Sequence, residues 1–90
     1  MNNIKKLFLK KKIDFIEKKE NRIEFSLNKV TFVIGGGNIA IGLYFIAIIT
    51  DNLVLCVCWG DAIKVTKTTI NLLDNNNLIM AINLNNIKYE

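Results

Sequence analysis

The residues that could do chemistry are few. Cys56 and Cys58 are the only thiols, and the chain has no histidine. A C-x-C pair on a strand turns both thiols to one side. Two sulfur ligands leave a zinc site half built, with no histidine or further cysteine to complete it. Alternate positions of one strand also suit a disulfide poorly. The pair therefore reads as two small hydrophobes in a core, and neither a metal nor a cofactor is expected. Three carboxylates, Asp51, Asp61 and Asp74, stand in turn-like surroundings, where such side chains cap and turn the backbone. Without imidazole the usual general base near neutral pH is missing, and no nucleophile stands beside a base. No catalytic residue is assigned, and the expectation is a protein that is not an enzyme.

The glycine run Gly35-Gly36-Gly37-Asn38 offers a different chemistry. It follows a strand-like apolar run, Val30–Ile34. Glycines so placed let backbone N–H groups approach a pyrophosphate at a helix N-terminus. Gly35, Gly37 and Ala40 fit the G-x-G-x-x-G/A spacing, so VTFVIGGGNIA resembles the dinucleotide-binding fingerprint of Rossmann enzymes. The resemblance implies a nucleotide-binding module using the Gly35–Gly37 loop, with Asp51 or Asp61 as the ribose acid. The residues that follow point elsewhere. Ile39–Ile49 has no polar face, and the chain is shorter than a dinucleotide domain. A hairpin or bulge, where the glycines break the strand by accepting positive φ, is the simpler reading.

Charge is the third feature. The net charge is +4, and it is concentrated at one end. Residues 1–29 carry net +5, and residues 30–90 carry net −1. Lys10, Lys11, Lys12, Lys18, Lys19 and Arg22 form a basic head interrupted by Glu17, Glu20 and Glu24. Such a head suits an acidic partner: nucleic acid, an anionic membrane surface or an acidic protein face. It could neutralise phosphates, with Phe8 or Phe15 stacking on bases if exposed. The plainer reading is that these charges keep a small apolar protein in solution.

The elements that would position these residues are those of one small domain, residues 1–90, with a basic head (1–29), an apolar sheet core (30–60) and a C-terminal part (61–90). Asn3 can cap a short helix, IKKLFLKKK. Residues 13–19 fit either a continued helix or the first strand of a hairpin, and the hairpin is preferred. Arg22–Leu27 alternates polar and apolar side chains as a half-buried strand does. Asn28-Lys29 and Thr50-Asp51-Asn52 read as turns. Ile39–Ile49 reads as a central strand, because its β-branched residues favour strand over helix, and Leu53–Trp59 as its antiparallel neighbour. Asp61 is read as the cap of a second helix running to about Leu73, with a strand from Lys67 as the alternative. Leu78–Leu84 closes the chain as a strand.

The expected fold is α+β: an antiparallel β-sheet meander with an N-terminal helix and a second helix packed on it. A central strand apolar on both faces needs cover on both sides. One helix can cover one face; the other face needs the second helix, a homodimer or a docked partner. Phe32–Thr50 is a charge-free run long enough to span a bilayer as a helix, so a small membrane protein spanning at about residues 32–50 is a competing reading. Its glycines and β-branched residues favour a soluble core. No apolar segment of signal-peptide type follows the basic N-terminus, and a cytoplasmic location is expected. The function expected is that of a small non-enzymatic binding protein. It would be a phage- or mobile-element-type inhibitor, of the anti-CRISPR or anti-defence kind, that binds a larger bacterial protein or ribonucleoprotein. Direct nucleic-acid contact would run through the lysine-rich head.

Overall fold

The chain starts with a helix, α1 (Asn2–Lys11), whose Ile4 and Phe8 stand four residues apart and bury one face. The structure is a computed structural model describing residues 2–18, 21–38 and 43–85. Asn3, the expected cap, lies inside the first helical turn. The helix stops in a Schellman turn. Ile13 N–H donates to the Phe8 carbonyl at 2.9 Å and Lys12 N–H to the Leu9 carbonyl at 3.3 Å. Lys12 takes the left-handed conformation that such a turn requires, with φ 59°.

Five antiparallel strands follow in chain order: β1 (Phe15–Lys18), β2 (Arg22–Leu27), β3 (Val30–Asn38), β4 (Leu43–Thr50) and β5 (Leu53–Gly60). Residues 13–19 therefore enter a hairpin, as preferred; Lys19 and Glu20 lie outside the described residues. Asn28-Lys29 and Asp51-Asn52 are two-residue hairpin turns with positive φ throughout, the geometry that matches strand twist. The central strand expected over Ile39–Ile49 is β4 from Leu43 onward; residues 39–42 lie outside the described residues.

The glycine run does not break the chain. β3 continues through it to Asn38, with a register irregularity between Gly36 and Asn38. Gly35 serves close packing instead. A Cβ there would sit 2.5 Å from Cε1 of Phe45 on the neighbouring strand.

The second helix is also absent. Residues 61–73 form β6 (Ala62–Val65) and β7 (Thr69–Asp74), and β8 (Asn77–Asn83) completes a three-stranded antiparallel sheet in the order β6-β7-β8. The physical reason is local. Ile63, Val65, Thr66, Thr68, Thr69 and Ile70 are all β-branched, which weakens a helix and suits a strand. Thr66 then supplies the turn. Its hydroxyl accepts the N–H of Thr69 at 2.9 Å and of Thr68 at 3.2 Å.

Both covering layers lie on one face of the large sheet. The inner face carries Ile23, Phe25 and Leu27 of β2, Ile34 of β3 and Ile46 of β4, which share one core with Ile4 and Phe8 of α1 and with Ile70, Leu72, Ile82 and Leu84 of the C-terminal part. α1 lies over the β1–β2 side: Phe8 packs on Phe25 at 4.6 Å and Phe15 at 5.7 Å between centroids. Lys5 there reaches Glu17 at 3.0 Å. The small sheet lies under β4 and β5. Gly60 makes the crossing between sheets possible, since a side chain there would strike the Leu73 carbonyl and Leu72. Asp61 fixes it, donating its N–H to the Leu73 carbonyl at 2.8 Å and accepting the N–H of Asn75 at 3.2 Å.

Candidate interaction surface

The register decides what the opposite, outer face of the large sheet presents, because directly paired residues share a face. One row across the sheet is Lys18, Arg22, Gly35, Phe45 and Trp59; the next is Ile16, Glu24, Val33, Ala47 and Val57. A third holds Ser26, Thr31, Ile49 and Val54. The face thus divides. Its β1–β2 side is polar, and the Ser26 and Thr31 hydroxyls pair across strands at 2.9 Å. Its β4–β5 side is apolar.

Phe45 is the centre of this apolar half. The missing side chain at Gly35 lets its ring lie across β3. Arg22 covers it from one side at 5.3 Å, a cation–π contact. Trp59 packs on it from the other, 5.3 Å between centroids and tilted by 48°. Phe45 is consequently buried although no described element covers the outer face, whereas Trp59 stays 52% exposed.

From Trp59 the apolar surface runs along β5. Leu53, Val54, Leu55, Val57 and Trp59 are all exposed. Among the described residues β5 is also the last strand of its sheet, paired only with β4. Its outer edge has no partner among the described strands, and it carries no charged side chain. Leu78 and Ile79, exposed on β8, add to this end of the molecule, where β8 touches β5.

The cysteines belong to the same strand. Cys56 is exposed and Cys58 half-buried against the core, so only the second behaves as the expected core hydrophobe. Burial raises the Cys58 pKa, with the neighbouring Cys56 adding to the shift by charge and hydrogen bonding. Among the described residues no group of histidine, cysteine or carboxylate side chains could hold a metal ion.

The basic head is dispersed. Lys10 and Lys11 end α1 and Lys12 occupies its capping turn. Lys18 and Arg22 face each other at the far end of the β1–β2 hairpin, separated from Lys12 by the length of β1. Lys19 is outside the described residues. Of the candidate stacking residues, Phe8 is fully buried in the core and offers no ring to a base, whereas Phe15 is partly buried and lines a groove beside Lys11 and Lys12. The groove has a volume of about 720 Å³, but Asp14 and Glu24 also line it, and its charges are balanced.

The glycine run has no strand-to-helix context: Gly35–Gly37 lie within β3, and the next described element is the antiparallel β4. Among the described residues no helix is long and apolar enough to cross a membrane; the described parts of Phe32–Thr50 are strand. Sequence reasoning missed β5 as a site. The signal was present, an eight-residue strand-like run without a charge, but it looked like core. No family model, curated protein or solved structure matches the chain.

Proposed function

We propose that this chain is a non-enzymatic binding protein that engages a larger protein through the outer face of its five-stranded sheet. One observation carries the reading: among the described residues no layer covers the apolar half of that face, where Phe45 and Ala47 form a buried floor beside the half-buried Val33 and Ile49 and the exposed Val57 and Trp59, because α1 and the small sheet share the opposite face. Contiguous exposed apolar surface rimmed by polar residues marks interaction sites, and an aromatic anchor beside an arginine is the composition that concentrates binding energy. Here Trp59 is the anchor, and Arg22 borders it across Phe45. The lysines at the end of α1 favour a partner bearing acidic groups or phosphates. With the apolar outer face they support an anti-defence inhibitor of the anti-CRISPR kind, acting on a bacterial protein or ribonucleoprotein by occupancy.

The test is capture of a partner from bacterial lysate by tagged protein, with and without nuclease. Three variants run beside the parent: Trp59→Ala, Val33→Lys and the triple change of Lys10, Lys11 and Lys12 to Glu. The expected result is one stoichiometric protein in both halves, lost with Trp59→Ala and Val33→Lys and weakened by the triple change, more so at low salt. Recovery indifferent to both outer-face variants would overturn the reading. Recovery that vanishes with nuclease would make nucleic acid the ligand.

A further inference from the structure

We infer that the β5 edge pairs with the β5 edge of a second copy of this chain, antiparallel about a two-fold axis, to make one continuous ten-stranded sheet. The inference deepens the binding reading, because it would join two outer faces into a single platform. It adds the backbone of β5 and the side chains of Leu53, Val54, Leu55, Leu78 and Ile79, which the outer-face reading does not use, while Val57 and Trp59 serve both.

Four features choose a second copy. The first is the edge itself. Long, flat, apolar edges are templates for strand pairing, and proteins that leave them free blunt them with charge, proline, short length or cover. β5 has eight residues, LVLCVCWG, with no charge and no proline. The second is area. Leu53, Val54, Leu55, Val57, Trp59, Leu78 and Ile79 each leave 44–67% of their surface in solvent. Apolar residues this exposed, clustered at one strand edge, supply the kind of surface from which a standard interface of ~800 Å² per partner is built.

The third is self-complementarity. A two-fold interface brings the same patch against itself, so any charge at its centre would meet its own copy. The strand has none to meet. An axis normal to the sheet also keeps outer side chains with outer ones and inner with inner, which preserves the pleat on both sides. The fourth is the position of the net charge. α1, with its lysines, lies over β1 and β2, three to four strand spacings from β5. At ~4.8 Å per strand that is about 14–19 Å, beyond the ~8 Å screening length at physiological salt. Repulsion between the two basic ends therefore does not oppose pairing.

Sedimentation equilibrium on the purified full chain, from low micromolar to submillimolar concentration, tests the inference. The expected mass is twice the 10.2 kDa of one chain, with concentration-dependent hydrogen-exchange protection of β5 amides. Val54→Lys and Leu55→Lys alter exposed side chains, so they should keep the circular dichroism spectrum and return the mass to that of a single chain. Leu9→Lys, on an exposed helical position, should leave the dimer intact. A parent that stays at single-chain mass throughout overturns the inference, as does a dimer indifferent to both β5 lysines or one whose β5 amides gain no protection. None of these outcomes touches the outer-face reading, because Val33→Lys tests that separately on β3.

Discussion

The two edges of the five-stranded sheet are built in opposite ways. β1 is four residues long, carries Glu17 and Lys18, and is roofed by α1, with Lys5 reaching over to Glu17. β5 is twice as long, carries no charge, and exposes most of its side chains. The first edge has the devices that stop strand pairing and the second has none. The difference teaches where this molecule is closed and where it is open. Its aromatic packing is concentrated under the β1–β3 side, where the phenylalanines meet, and its exposed apolar side chains are concentrated at β5.

Two aromatic truncations should separate these roles by the widest margin. Phe8 is fully buried and packs on Phe15 and Phe25. Phe8→Ala should lower unfolding free energy by about 3–5 kcal/mol, as other buried phenylalanine truncations do. Trp59 keeps half its surface in solvent. Trp59→Ala should cost the monomer less, about 2 kcal/mol, scaling with the smaller apolar area that folding covers. Urea titration of each variant, with a dimer-breaking Leu55→Lys background to remove association, reads the contrast. Equal losses would break it.

An intermediate effect is expected in the middle of the sheet. Gly35→Ala places a methyl 2.5 Å from the Phe45 ring and 3.1 Å from the Arg22 side chain. The ring must move, and overpacking of this kind costs about 1–3 kcal/mol. Since Phe45 touches Trp59, the near-ultraviolet dichroism of the tryptophan should change as well. Adding Phe45→Leu to Gly35→Ala should recover part of the loss, a coupling visible in a double-mutant cycle. Full additivity would mean that the ring does not need the space Gly35 leaves.

Much of this architecture was legible in the chain. The alternation in Arg22–Leu27 gave β2, and Asn28-Lys29 and Asp51-Asn52 gave their turns, because short polar residues and positive φ go together. The question of what covers the second face followed from a central strand apolar on both sides, though the helix expected to cover it is absent. Three features were not legible. Gly35 looks like a chain breaker in sequence, since only the partner strand reveals that Phe45 needs the room. Residues 61–73 satisfy a helical stripe and a two-residue alternation at once, and the β-branched side chains decided between them. The exposure of β5 was hidden because an uncharged apolar run reads the same whether it is the middle of a sheet or its edge; topology alone tells them apart. The placement of the lysine head was hidden for a related reason: its described residues, close in sequence, divide between a helix end and the far end of a hairpin.

The two thiols of β5 sharpen the account of that edge on a finer scale. Thiolate is the reactive form, and burial, then Cys56, raise the Cys58 pKa. Cys56 should therefore be alkylated ahead of Cys58 at mildly alkaline pH, as mass spectrometry after brief iodoacetamide treatment would show. Cys56→Ser should speed labelling of Cys58, because it removes the charge contribution. The sign for stability follows. Cys58 folded holds its proton to higher pH than Cys58 unfolded, so its contribution is complete below the unfolded pKa and is lost as pH rises through the folded one. Labelling of both thiols should slow as protein concentration rises, since dimer formation covers the strand; rates independent of concentration would argue against pairing at β5.

The smallest effect is expected at the closed edge. Lys12 holds φ 59° in the turn that ends α1, a conformation costing a side-chain-bearing residue roughly 1–2 kcal/mol relative to glycine. Lys12→Gly relieves that cost but adds freedom to the unfolded chain, worth about 0.4–1 kcal/mol in the other direction. The net should be a stabilisation of about 0.5 kcal/mol, or roughly 2–4 °C in Tm for a domain of this size. The capping bonds of Lys12 and Ile13 are made by backbone N–H groups, so glycine keeps them. A gain in Tm with unchanged partner capture would make Lys12 a solubilising charge placed at some expense of stability. A gain in Tm with weakened capture would make it part of the recognition surface, and the head would then act through α1 while β5 acts through association. A loss in Tm would show that the lysine side chain itself supports the turn, and that the closed edge depends on its charges for stability as well as for keeping other strands away.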